Sequence, residues 1–322
     1  MVLTRDFEEH IEEARAVTAR INELLPPLRL ASAEDIRNMR EMERDPNGPF
    51  AAFAAAPVLP VEVRTVPGYA SDVPVRVARP ETVDAVYVDI HGGGWIIGTA
   101  EMKDADNTRL ATACNVATVS IDYRLAPEHP WPAGADDCEA VVAWLLEHAA
   151  SEFGTDRLII GGESAGATLS AITLLRARDR LDAIERFVGA NLVFGAYDLS
   201  RTPSQRRRED TPMIDAETIR QVVPNVFPGV DTEGLRDPGI SALYADLQGL
   251  PPALFTVGTD DPLLDDSLFM AARWEVAGNE TELVVYPESP HGFTMFPTAM
   301  ARAANRRIKD FVRRCIDNAS KA

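Results

Sequence analysis

Apolar and polar positions follow three rhythms along the chain. Near the start, Phe7, Ile11, Ala14, Val17, Ile21 and Leu25 recur at helical spacing, which predicts an amphipathic helix over 7–25 closed by Pro26-Pro27. A second helical stretch, 33–44, runs into the turn-forming Asp45-Pro46-Asn47-Gly48. From residue 61 the period falls to two: VEVRTV and VPVRVARP alternate apolar with polar residues, as paired, half-exposed strands do. Solid apolar runs follow at 85–90, 116–123, 157–162, 187–194, 253–258 and 282–287, spaced by helical patterns at 134–150, 165–178, 264–277 and 298–317. Buried strands alternating with helices imply an α/β fold, a mostly parallel sheet of eight strands with helices on both faces.

Residues 198–250 break the rhythm, with RTPSQRRRED, several prolines and only short apolar pieces. The segment is too long for a plain strand-to-helix connection and reads as an inserted helical cap. The expected organisation is therefore an N-terminal helical part of the cap (1–55), a first part of the core (56–197), the cap insertion (198–250) and the rest of the core (251–322). The run Arg206-Arg207-Arg208 falls in the insertion and reads as a solvated helix face.

Composition narrows the function classes. A chain of 322 residues with 46% hydrophobic residues can build a large core without staples. The formal charge of −18 argues against nucleic acid and anionic membrane surfaces as partners. Cys114, Cys138 and Cys315 are odd in number and far apart, which suggests neither a disulfide framework nor a metal site, so no metal or cofactor is expected. The acidic start MVLTRDFEEH lacks the basic and apolar regions of a signal peptide, and no apolar run approaches a membrane span; a cytoplasmic protein is the expectation.

The chemistry gathers after the strands. Gly162-Glu163-Ser164-Ala165-Gly166 is a G-x-S-x-G motif that follows an apolar strand and opens a helix, the setting of a nucleophile on a sharp turn. His91-Gly92-Gly93-Gly94-Trp95 follows another strand, and glycines there let backbone N–H groups approach a ligand. In hydrolases of this kind the N–H groups of such a loop and of the residue after the nucleophile stabilise an oxyanion, here Gly93, Gly94 and Ala165. His91 and Gly92 then support the loop, and Glu163 supports the turn. The loop lacks the spacing of a phosphate-binding glycine motif. Of five histidines, His291 follows the last strand in Ser-Pro-His-Gly-Phe and is the natural base. An orienting acid is expected between serine and histidine in chain order, and on chemistry alone Asp260, Asp261, Asp265 and Asp266 compete.

Together with Asp122-Tyr123-Arg124-Leu125-Ala126-Pro127-Glu128, Asp261-Pro262-Leu263 and His291-Gly292-Phe293, these motifs resemble the hormone-sensitive-lipase-like family (bacterial family IV) of α/β-hydrolase carboxylesterases. The resemblance runs from about residue 60 to the C-terminus. It implies the α/β-hydrolase fold, a cap made of the N-terminal helices and the insertion, and a catalytic trio of Ser164, Asp261 and His291, with Asp261 selected by its Asp-Pro-Leu motif. It also implies homodimers as a frequent though not universal state. Tyr123, Glu128 and Asp198 fall in motifs that look structural. Glu163 stands where many relatives carry aspartate, and Ala167 where glycine is frequent.

The function expected is hydrolysis of short- to medium-chain carboxylic esters, with a small-molecule ester as the partner. Two alternatives are an amide or formamide hydrolase on the same residues and a non-catalytic small-molecule receptor of the same fold, the latter disfavoured by the presence of His291. Trp95, Ile96, Tyr197, Met213, Phe227 and Phe293 are candidates to line an acyl pocket, although core packing is the commoner fate of such side chains.

Overall fold

The computed structural model describes every residue except 1, 4, 25–27, 46, 49, 51–54, 210 and 322. Leu25 and the pair Pro26-Pro27, expected to close the first helix, lie outside the described residues, as does Pro46 of the following turn.

The runs of Val, Ile and Ala that read as buried strands do form them. β4 (Ala85–Ile90), β5 (Val116–Ile121) and β8 (Ala253–Gly258) are buried at every position. β6 (Leu158–Glu163), β7 (Phe187–Val193) and β9 (Thr281–Tyr286) complete the parallel part. β2 (Val61–Val66) and β3 (Val73–Ala78) pair antiparallel, and β3 joins β5 antiparallel. The order across the sheet is β1-β9-β8-β7-β6-β4-β5-β3-β2. The eight expected strands are extended at one edge by β1 (Val2–Leu3), two residues running parallel to β9. So short a strand carries no periodicity to read.

Helices cover both faces. α4 (Ala133–Phe153) and α5 (Ala165–Asp179) pack together on one face; α3 (Asp104–Cys114) and α9 (Ala299–Ala319) pack together on the other. α8 (Leu264–Val276) lies on β8 and β9. α3 was not expected. Its buried face mixes Asn107 and Thr108 with Ala105, Leu110 and Ala111, so no apolar stripe marks it. The three cysteines are buried and free.

The N-terminal stretch forms a 3-10 turn (Arg5–His10) leading into α1 (Ile11–Leu24), then α2 (Ala33–Arg44), which starts with a capping box between Ser32 and Asp35. The insertion contributes α6 (Pro203–Arg207) and α7 (Ala216–Val226). These two parts join: Leu28 N–H donates to the Met213 carbonyl at 2.9 Å, and Arg29 pairs with Asp215 at 2.9 Å. The rest of the insertion turns back to the core, where Leu235, Ala242, Leu247 and Leu250 are buried. Arg206 donates to the Ser200 carbonyl and Arg208 to that of Thr259, so both bind backbone beside their exposed neighbour Arg207. No helix among the described residues is long and apolar enough to cross a membrane.

Candidate active site

The carboxyl ends of β4, β6, β8 and β9 converge. β6 ends in the turn that carries Ser164, whose backbone sits at φ 55° and ψ −123°. A non-glycine residue in that region stores strain, held here by neighbours on both sides. Ser164 N–H donates to the Val193 carbonyl at 2.9 Å, and its own carbonyl accepts from Ala167 N–H at 3.0 Å as α5 begins. The turn is tight enough to demand glycine: a Cβ on Gly166 would collide with the Ile90 carbonyl.

β9 leads to a loop that carries His291, and β8 leads to Asp261. Ser164 Oγ lies 3.0 Å from His291 Nε2, and His291 Nδ1 lies 2.9 Å from Asp261 Oδ2. The two loops brace each other, with Asp260 N–H donating to the Ser289 carbonyl at 3.1 Å. Asp261 is fully buried, and its second oxygen accepts from Leu263 N–H at 2.8 Å. The edge of Phe194 meets the imidazole with centroids 4.7 Å apart. The ring is thereby fixed from both nitrogens and one face.

The competing aspartates face elsewhere. Asp266 accepts from Tyr197 N–H, Asp198 N–H, Thr202 Oγ1 and Gln205 Nε2, at 2.7–2.9 Å, and so ties down the start of the insertion. Asp265 accepts from Ser204 N–H at 2.8 Å, and Asp260 pairs with Arg208 at 3.5 Å. Of four neighbouring acids, one reaches the histidine and three hold the insertion.

The glycine loop lies against the serine turn. A Cβ on Gly92 would sit 3.4 Å from Ser164 Cβ, and one on Gly93, at φ 113°, would collide with the Ile97 carbonyl. The Gly93 carbonyl accepts from Ile96 and Ile97 N–H at 3.1 and 2.9 Å, which closes the loop on itself. Ala165 opens α5, where an N–H has no carbonyl behind it in the helix. His91 stacks on Tyr123 at 4.2 Å with Nδ1 2.7 Å from the Gly92 carbonyl; burial lowers its pKa, which keeps the ring neutral. Tyr123 Oη donates to the His91 carbonyl at 3.0 Å. Asp198, for its part, accepts from Ser200 at 2.6 Å within the insertion.

The six pocket candidates scatter. Trp95 and Phe227 meet edge to face at 6.1 Å over the glycine loop. Met213 reaches to 4.0 Å from where a Gly292 Cβ would stand, beside His291. Ile96 is wholly buried. Tyr197 packs its ring on Phe255 while its N–H binds Asp266, and Phe293 packs on Tyr286 and Phe194; these rings serve the core. The unforeseen neighbour is Val222 of α7, 3.5 Å from where a Cβ on Gly94 would stand. Nothing local marks Val222, because its place depends on how the insertion folds over the loop.

Comparison with known proteins agrees with this architecture. A family profile described as alpha/beta hydrolase fold matches residues 87–295. Carboxylesterase NlhH of Mycobacterium tuberculosis is 38% identical over 264 residues, covering 77% of this chain and 80% of that protein. Esterase LipI of the same organism is 30% identical over 299 residues, covering 88% of this chain and 89% of its own length. The solved structure of an esterase from Pyrobaculum calidifontis superposes with a TM-score of 0.83 at 28% identity, covering 92% of this chain and 97% of that one. On its fold, its motifs and these likenesses, the chain belongs to the α/β-hydrolase fold family, in its hormone-sensitive-lipase-like branch.

Proposed function

We propose that the protein hydrolyses short- to medium-chain carboxylic esters through an acyl-enzyme formed on Ser164. The observation that carries this reading is the unbroken line from Ser164 Oγ to His291 Nε2 at 3.0 Å and from His291 Nδ1 to Asp261 at 2.9 Å. The relatives named as esterases support the reaction class.

The buried Asp261 carboxylate fixes the tautomer with the proton on Nδ1, leaving Nε2 to accept the serine proton. Ser164 Oγ attacks the ester carbonyl, and His291 takes its proton. The developing oxyanion is received by the N–H groups of Gly93, Gly94 and Ala165, each worth about 3 kcal/mol in comparable sites. His291 then protonates the leaving alcohol. Water then attacks the acyl carbonyl and gives a proton to the same nitrogen; as the intermediate collapses, His291 returns that proton to Ser164 Oγ and the acid leaves. Val222 beside Gly94, Met213 and Met295 beside Gly292, and Trp95 with its neighbour Phe227 stand close to the loop and His291, and we take them to bound the acyl or alcohol group.

Hydrolysis rates across p-nitrophenyl esters of increasing acyl length, for the native protein and for Ser164→Ala, test this. The expectation is activity that peaks at short or medium chains and is absent in the variant. Retained hydrolysis by a folded Ser164→Ala protein contradicts the assignment.

A further inference from the structure

Behind the serine turn, on the side of α3 and α9, lies a charged cluster that the reaction above does not use. Lys103, the last residue of the 3-10 turn before α3, points its ammonium at Glu163, 3.1 Å away. Both side chains are mostly buried, and Glu163 is the residue before Ser164. The chain has only three lysines among its 32 basic residues, and one is spent here. The same ammonium lies 3.6 Å from Asp106. Beneath it Asp89 is buried and accepts from Asn107 and Ser120 at 2.9 and 2.7 Å. Burial pushes the lysine toward its neutral form, but Glu163, Asp106 and Asp89 outweigh it and raise its pKa, so the ammonium stays charged.

The surroundings of His291 give the pair a meaning. Carboxylates near it or near Asp261 along the chain each carry a cation: Asp260, beside Asp261, has Arg208 of the insertion, and Glu288, three residues before His291, has Arg15 of α1. Glu163 has Lys103. Asp261 alone among them is paired with the imidazole itself. A charge at Glu163 without its partner would stand beside the residue that hydrogen-bonds the ring, in a mostly buried setting that water screens poorly.

We propose that Lys103 is a positioning residue for the nucleophile: by neutralising Glu163 it holds the turn that presents Ser164 and keeps an unbalanced charge from His291. The proposal rests on His291 acting as the base. A general base must be unprotonated, so the acid limb of kcat/KM reports its protonation. Removing the cation with Lys103→Met leaves a negative charge that favours imidazolium, and moves the acid limb to higher pH. Removing the anion with Glu163→Gln moves it to lower pH. The other charges facing the cluster (Asp89, Asp106, and Arg109 and Lys309 around a cavity of about 200 Å³) are unchanged in both variants.

The experiment is the pH profile of kcat/KM for p-nitrophenyl butyrate with the native protein, Lys103→Met, Glu163→Gln, the double variant and Lys103→Arg. The expected result is opposite displacements of about half a pH unit in the single variants. The double variant and Lys103→Arg return near the native limb. In Lys103→Met, kcat falls about tenfold while KM holds, because the pair lies away from the substrate side. A purely structural role would lower activity without opposite displacements. If Lys103→Met does not fold, Glu163→Gln alone must still lower the limb. A native limb that neither variant moves, or that both move the same way, overturns this proposal alone. A native profile with no acid limb between about pH 5 and 8 removes the base reading, and this proposal with it.

Discussion

The sheet core and the cap hold their charges in opposite ways. Within the core, Asp89 and Asp266 are buried among hydrogen-bond donors, and burial raises both their pKa values. In the cap and along its contacts, carboxylates are held low by partners at the surface. Arg40 lowers Glu128, Arg15 lowers Glu288, Arg220 lowers Glu217, and the Ser32 hydroxyl lowers Asp35. Asp215, which burial pushes up, ends low because Thr218 N–H and Arg29 outweigh it. Two carboxylates along the cap behave like the core: burial raises Asp260 despite Arg208, and raises Glu43 as it turns inward to accept from Gly98 N–H of the glycine loop at 3.1 Å. The difference separates two tasks. The core holds Ser164, His291 and Asp261 through packed and hydrogen-bonded groups, whereas the cap is fastened by ion pairs that solvent and protons can loosen.

The two aspartates five positions apart, Asp261 and Asp266, should respond to substitution in opposite ways. Asp261→Asn should lower kcat by about 10⁴ through the wrong imidazole tautomer, with little change in thermal stability. A loss under tenfold would mean that this carboxylate does not orient the base. Asp266→Ala should instead cost about 3 kcal/mol of stability, since it strands Thr202, Gln205 and two backbone N–H groups at the root of the insertion. Chemical denaturation measures this, and an unchanged midpoint would show that the insertion is anchored elsewhere.

Acid should sharpen the contrast. Carboxylates with lowered folded pKa values contribute stability above their unfolded pKa, and that contribution is lost as pH falls through the folded values. Below about pH 4 the cap should therefore loosen before the core. Hydrogen exchange should show α1, α2 and α7 losing protection while β4–β8 keep theirs. Simultaneous loss in both regions would contradict the division. The smallest effect belongs to Val222→Ala, which opens space over Gly94. It should raise kcat/KM for a longer acyl or alcohol group by up to about tenfold and leave acetate esters nearly unchanged. Equal effects on all esters would place Val222 outside the substrate path.

How much was legible in the sequence follows the same division. Core strands announce themselves because a strand buried on both faces is mostly apolar, as in Ala85–Ile90 and Ala253–Gly258, which carry only Asp89 and Thr256 as exceptions. The serine turn, the glycine loop and His291 are legible because each stands at the end of such a strand and the chemistry restricts the residue types. α3 escaped because it buries Asn107 and Thr108 and shows no stripe. Lys103 escaped because its partners come from β4, β6 and α3, which only the fold brings together. The pocket was the least legible part. Tyr197 and Phe293 are large and near the right motifs, yet they pack inward, whereas Val222 looks like any apolar helix residue. Residue type marks the candidate site residues, but the docking of one element on another decides what surrounds them.

The central claim is that Ser164 forms the acyl-enzyme with its proton taken by His291. Labelling with a fluorophosphonate ester, followed by peptide mass spectrometry, tests it most directly. The expected result is stoichiometric modification of Ser164 with loss of esterase activity, and slow or absent modification in His291→Ala. Modification of another residue, or full labelling of Ser164 without loss of activity, would contradict it.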